Sequence, residues 1–167
     1  MAIDVARPKD RQNPLESFQK RLNEFDDLLH QQAKHFNLSG LENKFFFALT
    51  LHSPLILHDD FLRYQGNINA ATLEKLLNCS VPGLEQIYQN ARIRRVTGWQ
   101  ELWGVPRTNE CAIEAGSVFL FACTSQLDET IYKALFAFEE QGTGKRQTEG
   151  FGRVCVSDQF HQEIQLR

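Results

Sequence analysis

Between Gly142 and Arg153 the chain sets Gly142, Gly144, Gly150 and Gly152 among Lys145, Arg146 and Arg153, with Phe151 between the last two glycines. Glycine lets a backbone take positive φ and lie close to a bulky ligand. In such a loop successive amide N–H groups can turn toward an anion, and the cations neutralise phosphate. The chemistry suggested is capture of a phosphate-bearing partner. The structural alternative is that Gly142 only caps a helix and Gly150 to Gly152 form a tight turn into a strand.

Two nucleotide loops are excluded by position. A P-loop needs a glycine at position 139, which is Glu139, and a strand before the loop with a helix after it. A dinucleotide fingerprint needs glycine at position 147, which is Gln147. No cofactor is therefore expected. A second cationic group, Arg92, Arg94, Arg95 and Arg107, is interleaved with Trp99 and Trp103. Arginine pairs with phosphate and bases stack on aromatic faces, so the mixture suits single-stranded RNA. Core or subunit-contact tryptophans beside a solvated basic edge remain the alternative.

Acid–base chemistry has weaker candidates in His52, His58 and the pair Asp59-Asp60, placed after an apolar strand where a general base could sit. The acidic pair supplies too few oxygen ligands for a hard cation. Cys79, Cys111, Cys123 and Cys155 form no Cys-x-x-Cys pair, so no zinc site is expected, and the cysteines read as reduced core residues.

The elements that must position these groups follow from periodicity. Asn13 and Pro14 start a helix on which Leu15, Phe18, Leu22, Phe25 and Leu29 recur at alternating three and four spacing, with Phe36 in register and Gly40 at its close. Either it lies on its own domain or it docks on a neighbour. Phe45 to Leu51 reads as a central strand. Asn69 caps a helix from Ala70 to Asn78, and Ser80 and Pro82 open a further helical turn carrying Leu84 and Ile87. Arg92 to Trp99 reads as a strand with a basic edge, Ser117 to Thr124 as a strand apolar on both faces, Leu127 to Gln141 as a helix, and Val154 to Ser157 as the last strand. From Phe45 onward this is a βαββαβ order, predicting an α+β fold with a ferredoxin-like (RRM-like) sheet and two helices on one face.

With 167 residues and a net charge of −3, the chain fits one domain and is not a protein that coats nucleic acid indiscriminately. No apolar run is long enough for a membrane helix and the first residues lack a signal-peptide core, so a cytoplasmic protein without membrane attachment is expected.

The βαββαβ order, with a basic glycine loop ending Glu149-Gly-Phe-Gly-Arg-Val154, resembles the RAMP superfamily of CRISPR-associated proteins. Leu49-Thr-Leu-His-Ser-Pro54, Gly98-Trp99, Gly104-Val-Pro-Arg107 and Ala115-Gly-Ser-Val-Phe119 are similar to the C-terminal module of the guide-tag-binding subunit of type III (subtype D) effector complexes. The resemblance implies a non-catalytic structural subunit that binds the 5′ tag of the CRISPR RNA and contacts the large effector subunit and RAMP backbone subunits. It implies an RNA-binding glycine loop of Gly142, Gly144, Lys145, Arg146, Gly150, Phe151, Gly152 and Arg153. Arg94, Arg95, Trp99 and Arg107 join that surface on the residue chemistry above. Such subunits commonly carry two RAMP modules, and one is found here. The expected layout is a disordered leader over 1–12, an amphipathic helix over 13–40, the RAMP domain over 41–158 and a tail over 159–167. The alternative is a RAMP endoribonuclease acting on CRISPR RNA precursor or target RNA through His52 or Asp59.

Overall fold

The computed structural model describes residues 13–35, 43–100, 102–124 and 127–160. The leader over 1–12, Phe36, Gly40 and the tail beyond 160 lie outside the described residues. The chain is a mixed α+β protein with three α-helices and antiparallel sheets.

Helix α1 (Pro14–His35) begins where expected, with Asn13 Oδ1 accepting from the Leu15 N–H at 3.3 Å. Phe18, Leu22 and Phe25, spaced four and three apart, are its buried side chains. The helix docks on its own domain: Phe18 packs edge-on against Phe136, and Arg21 reaches both carboxylate oxygens of Glu139 at 2.6–2.7 Å.

Strand β1 (Phe45–Leu51) is buried along its whole length. It is the second strand of a four-stranded sheet, flanked by β10 (Val154–Val156) and β9 (Val118–Cys123), with β4 (Glu85–Asn90) on the far side of β9. Phe45, Phe47, Leu49 and Leu51 share one face of β1 and meet Leu73 and Leu77 of α2 (Ala70–Leu77) and Ile131, Leu135 and Phe138 of α3 (Glu129–Gln141) in one core. Each such burial stabilises by about 1.5–3 kcal/mol. The opposite face of β1 is also covered within the chain: Phe46 is buried and its ring lies 5.4 Å from that of His30. Strand β10 pairs only with the second half of β1; beyond it, the Phe46 N–H donates to Asp26 Oδ1 of α1 at 2.8 Å, so the helix satisfies the edge where the strand stops.

The Asn69 cap is as expected, and Asp128 caps α3. Asn69 Oδ1 accepts from the Thr72 N–H at 2.8 Å and Asp128 Oδ1 from the Ile131 N–H at 2.9 Å.

Two stretches depart from expectation. Residues 83–90, just after Pro82, form no helix: Glu85 to Asn90 is the edge strand of the main sheet, second in chain order, paired along β9 with a register shift between Gln86 and Tyr88. Its sequence, Glu-Gln-Ile-Tyr-Gln-Asn, carries no alternation because it is an edge strand with most side chains in solvent. Arg92 to Trp99, expected as the second strand of the βαββαβ order with a basic edge, instead builds an arm. Strand β5 (Ile93–Val96) pairs with β8 (Glu110–Ile113), and further out β6 (Trp99–Gln100) pairs with β7 (Val105–Pro106). A small ribbon of β2 (Leu57–His58) and β3 (Tyr64–Gln65) completes the set. No described helix is long and apolar enough to cross a membrane.

Candidate nucleic-acid interface

The glycine loop leaves α3 at Gly142, passes a short 3₁₀ turn at Gln147–Glu149, and enters β10. Most of its amide groups are spent inside the protein. The N–H of Thr143 donates to Gly152 O, Lys145 to Ile56 O, Gly152 to Pro54 O, and Arg153 to Ser53 Oγ, at 2.8–3.0 Å. The close approach that glycine permits is likewise to protein. A Cβ on Gly152, at φ +76°, would stand 1.7 Å from Thr143 O, and one on Gly144 would stand 2.5 Å from Leu55. Gly142 faces the Gly152 carbonyl in the same way, whereas Gly150 has open space beside it. Three of the four expected glycines thus hold the loop to its own chain.

The loop cations divide similarly. Arg146 is mostly buried, lies 4.8 Å above the Phe151 ring, and pairs with Glu110 at 2.8 Å and with Glu149. Arg107 also reaches Glu149, with both oxygens at 3.1 Å. Hydrogen bonds from Arg146, then from Arg107, pull the Glu149 carboxyl down to about 2, against some loss of solvation. Arg146 is correspondingly held more basic than usual by Glu149 and Glu110. Glu110 belongs to β8, so these four charges rivet the loop to the arm. Beneath them Phe151 packs on Ile56, Val96 and Ala112. Lys145 and Arg153, by contrast, are exposed and pair with no acidic side chain among the described residues.

On the arm, Arg92, Arg94 and Arg95 are exposed without an acidic partner among the described residues. Arg94 and Val96 alternate onto one ribbon face, the face that meets Phe151, while Arg95 projects from the other. Trp99 and Trp103 are 59 % and 72 % exposed, which removes them from the core. Arg107, Arg146 and Phe151 meet at one junction between arm and loop, where the Lys145 N–H bonds Ile56 O and Arg94 pairs with Ala112 in the ribbon. Arg153 and His52 instead line an open cleft of about 290 Å³ together with Gly142, Phe151 and Cys155.

The acid–base candidates are separated. His52 Nε2 lies 2.6 Å from Asp158 Oδ2. Asp59 is committed to a turn: its Oδ1 accepts from the N–H groups of Arg63 and Phe61 at 2.9 Å, and its Oδ2 from Arg63 Nε at 2.7 Å. These bonds, the Arg63 N–H foremost, hold its carboxyl below the usual carboxylate range. Asp60 pairs with Lys75, and the His58 ring leans on Tyr64. Of the cysteines, all free, Cys111 is exposed, contrary to the expected core role. Burial pushes the Cys155 thiol up to about 12.

Glu110 and Glu149 are the site residues that sequence reasoning missed. Glu149 was legible, standing three residues after Arg146. Glu110, 36 residues before Arg146, carried no local signal. No family model and no curated protein matches the chain, so its own residues carry the functional reading.

Proposed function

We propose that this chain is a non-catalytic, RNA-binding structural subunit of the RAMP kind, in which the arm and the outer side of the glycine loop grip the backbone and bases of a single-stranded guide RNA. The partners proposed with it are the CRISPR RNA tag, a large type III effector subunit and RAMP backbone subunits. A ferredoxin-like fold belongs to the same proposal. It is supported by the chain order β1, α2, β4, β9, α3, β10 and by the sheet order β10-β1-β9-β4.

The observation that carries the reading is the sorting of cations. Arg107 and Arg146 are neutralised by Glu110 and Glu149 and hold arm to loop. Arg92, Arg94 and Arg95 stand in solvent on the arm that also carries two exposed tryptophans, and Lys145 and Arg153 stand in solvent on the loop. Unneutralised arginine and lysine beside open aromatic faces is the combination that holds single strands. The test is fluorescence anisotropy with a single-stranded RNA across a salt series. Replacing Arg94 and Lys145 together by glutamate is expected to weaken binding and to flatten the salt dependence by about 0.7 in log–log slope for each phosphate no longer neutralised. An unchanged slope and affinity would overturn the reading.

An endoribonuclease reading has one observation in its favour, the His52–Asp158 bond at the mouth of the cleft, which would orient an imidazole for proton transfer. Asp59 offers nothing comparable, since its carboxylate is occupied by its own turn. The same preparations separate the two readings: cleavage of the RNA that disappears in His52→Ala would favour the enzyme.

A further inference from the structure

We propose that His52, Cys155 and Asp158 form a binding site for a zinc-class divalent cation, with three protein ligands and a fourth position open to the cleft beside the glycine loop. The one ligand atom that each offers, a ring nitrogen, the sulfur and a carboxylate oxygen, all lie within 4.8 Å of one another. Zinc takes sulfur at about 2.3 Å and nitrogen or oxygen at about 2.0–2.2 Å in a tetrahedron. Small side-chain rotations bring a set this close onto one ion.

The fold explains why these three meet although their sequence positions give no metal pattern. Antiparallel pairing of β1 with β10 sets Thr50 opposite Cys155. Two residues beyond Thr50, His52 continues on the same side of the ladder, and its N–H is fixed to Arg153 O at 2.9 Å. Ser157 then takes a left-handed conformation at φ +51°, and its N–H donates to Ala48 O at 2.7 Å. The turn swings Asp158 back to His52. The chain thus closes a ring of ligands through main-chain bonds, without relying on a Cys-x-x-Cys loop. That is the pattern the cysteine spacing excluded.

The donor set selects the ion. Thiolate, imidazole and carboxylate together suit zinc better than magnesium or calcium, which prefer all-oxygen shells. A thiolate and a carboxylate neutralise the double charge of the ion, the thiol proton leaving to solvent. Asp158 is already oriented from outside the ligand set, its Oδ1 accepting from the Phe160 N–H at 3.0 Å, as ligating carboxylates commonly are. Glu139, whose carboxylate also neighbours Cys155, is occupied by Arg21 and by the Val156 N–H. Three protein ligands leave the fourth position to water from the cleft that Arg153 and Gly142 help to line.

Titration of the full chain with Co²⁺ reads the site directly, because a bound thiolate gives a charge-transfer band and four-coordinate cobalt gives intense visible bands. The expected result is both bands saturating at one ion per chain, abolished by Zn²⁺ and by Cys155→Ser, and retained in Cys111→Ser. In His52→Ala the affinity should fall by at least the roughly tenfold to hundredfold that removing a mere outer-sphere partner costs. Asp158→Asn gives the same readout if Cys155→Ser does not fold. Absence of the bands in the wild type, their disappearance in Cys111→Ser, or their survival in Cys155→Ser would overturn the proposal. So would an unchanged affinity in both His52→Ala and Asp158→Asn. None of these readouts involves RNA, so they stand or fall apart from the RNA-binding reading.

Discussion

The glycine loop and the arm look alike as sequence and behave oppositely as structure. Both carry clustered cations beside aromatic residues and glycine. In the loop, three glycines, most amide groups and Arg146 are consumed in holding the loop to Leu55, Ile56 and the arm. In the arm the main-chain groups pair within the β5–β8 and β6–β7 ribbons, but the side chains of Arg92, Arg94, Arg95, Trp99 and Trp103 have no bonding partner among the described residues and stand in solvent. The difference teaches that residue type nominates a binding surface, but a residue is left for a ligand only when its hydrogen bonds and charge are unspent at home. The glycine loop acts first as a scaffold, and of its cations Lys145 and Arg153 are the ones left without an acidic partner among the described residues.

The largest expected effect breaks this contrast within the loop itself. Gly152→Ala places a Cβ 1.7 Å from Thr143 O at φ +76°, so the turn must open and break the Thr143–Gly152 bond. The left-handed backbone alone costs about 1–2 kcal/mol, and the broken bond about another 1 kcal/mol. The steric displacement adds to both. The melting temperature should fall by about 6–12 °C for a chain of this length. Gly150→Ala has the same backbone sign but open space, and should cost only the first of these terms. Equal losses, measured by thermal denaturation, would mean that the loop is not built on the close approach of Gly152 to Thr143.

A smaller effect compares paired and unpaired cations. Arg146→Ala strands Glu110, itself mostly buried, and leaves Glu149 to Arg107 alone, and should cost about 1.5–3 kcal/mol as a charged hydrogen-bonding partner. Arg153→Ala, exposed and without an acidic partner among the described residues, should stay within about 0.5 kcal/mol. Urea midpoints at constant slope measure both. The two arginines are seven positions apart, and only their partners distinguish them.

That distinction marks how far the sequence could be read. Phe45–Leu51, the Asn69 cap, α3 and its stop at Gly142 were legible because a buried run, a side-chain cap and a helical stripe are local signals. Strand β4 was not, because an edge strand such as Glu85 to Asn90 needs no alternation and its identity comes from pairing with β9. With β4 hidden, the partial alternation of Arg92 to Trp99 draws the arm into the core as if it were the second strand. Cys111 reads as a core residue for the same reason, an apolar neighbourhood in sequence that faces solvent in the fold. The meeting of His52 with Asp158, and of Arg146 with Glu110, depends on tertiary pairing over many residues and left no trace in spacing.

The smallest expected effect sharpens the comparison by pH. Glu149 is pulled from 4.5 to about 2 by Arg146 and Arg107, so its ion pairs stabilise the fold in full above 4.5 and fade as pH falls toward about 2. The carboxylate is partly exposed, which screens the pairs and keeps the contribution modest. Glu149→Gln removes the charge without changing the shape. The stability gap between wild type and variant should therefore be constant above 4.5 and close as pH drops toward 2, read from urea midpoints or from amide exchange at Gly150 and Phe151. Arginine side chains in general do not titrate over this range. RNA affinity assigned to the arm arginines should accordingly not follow the closing of that gap, whereas affinity that depends on the rivet between loop and arm should decline along with it.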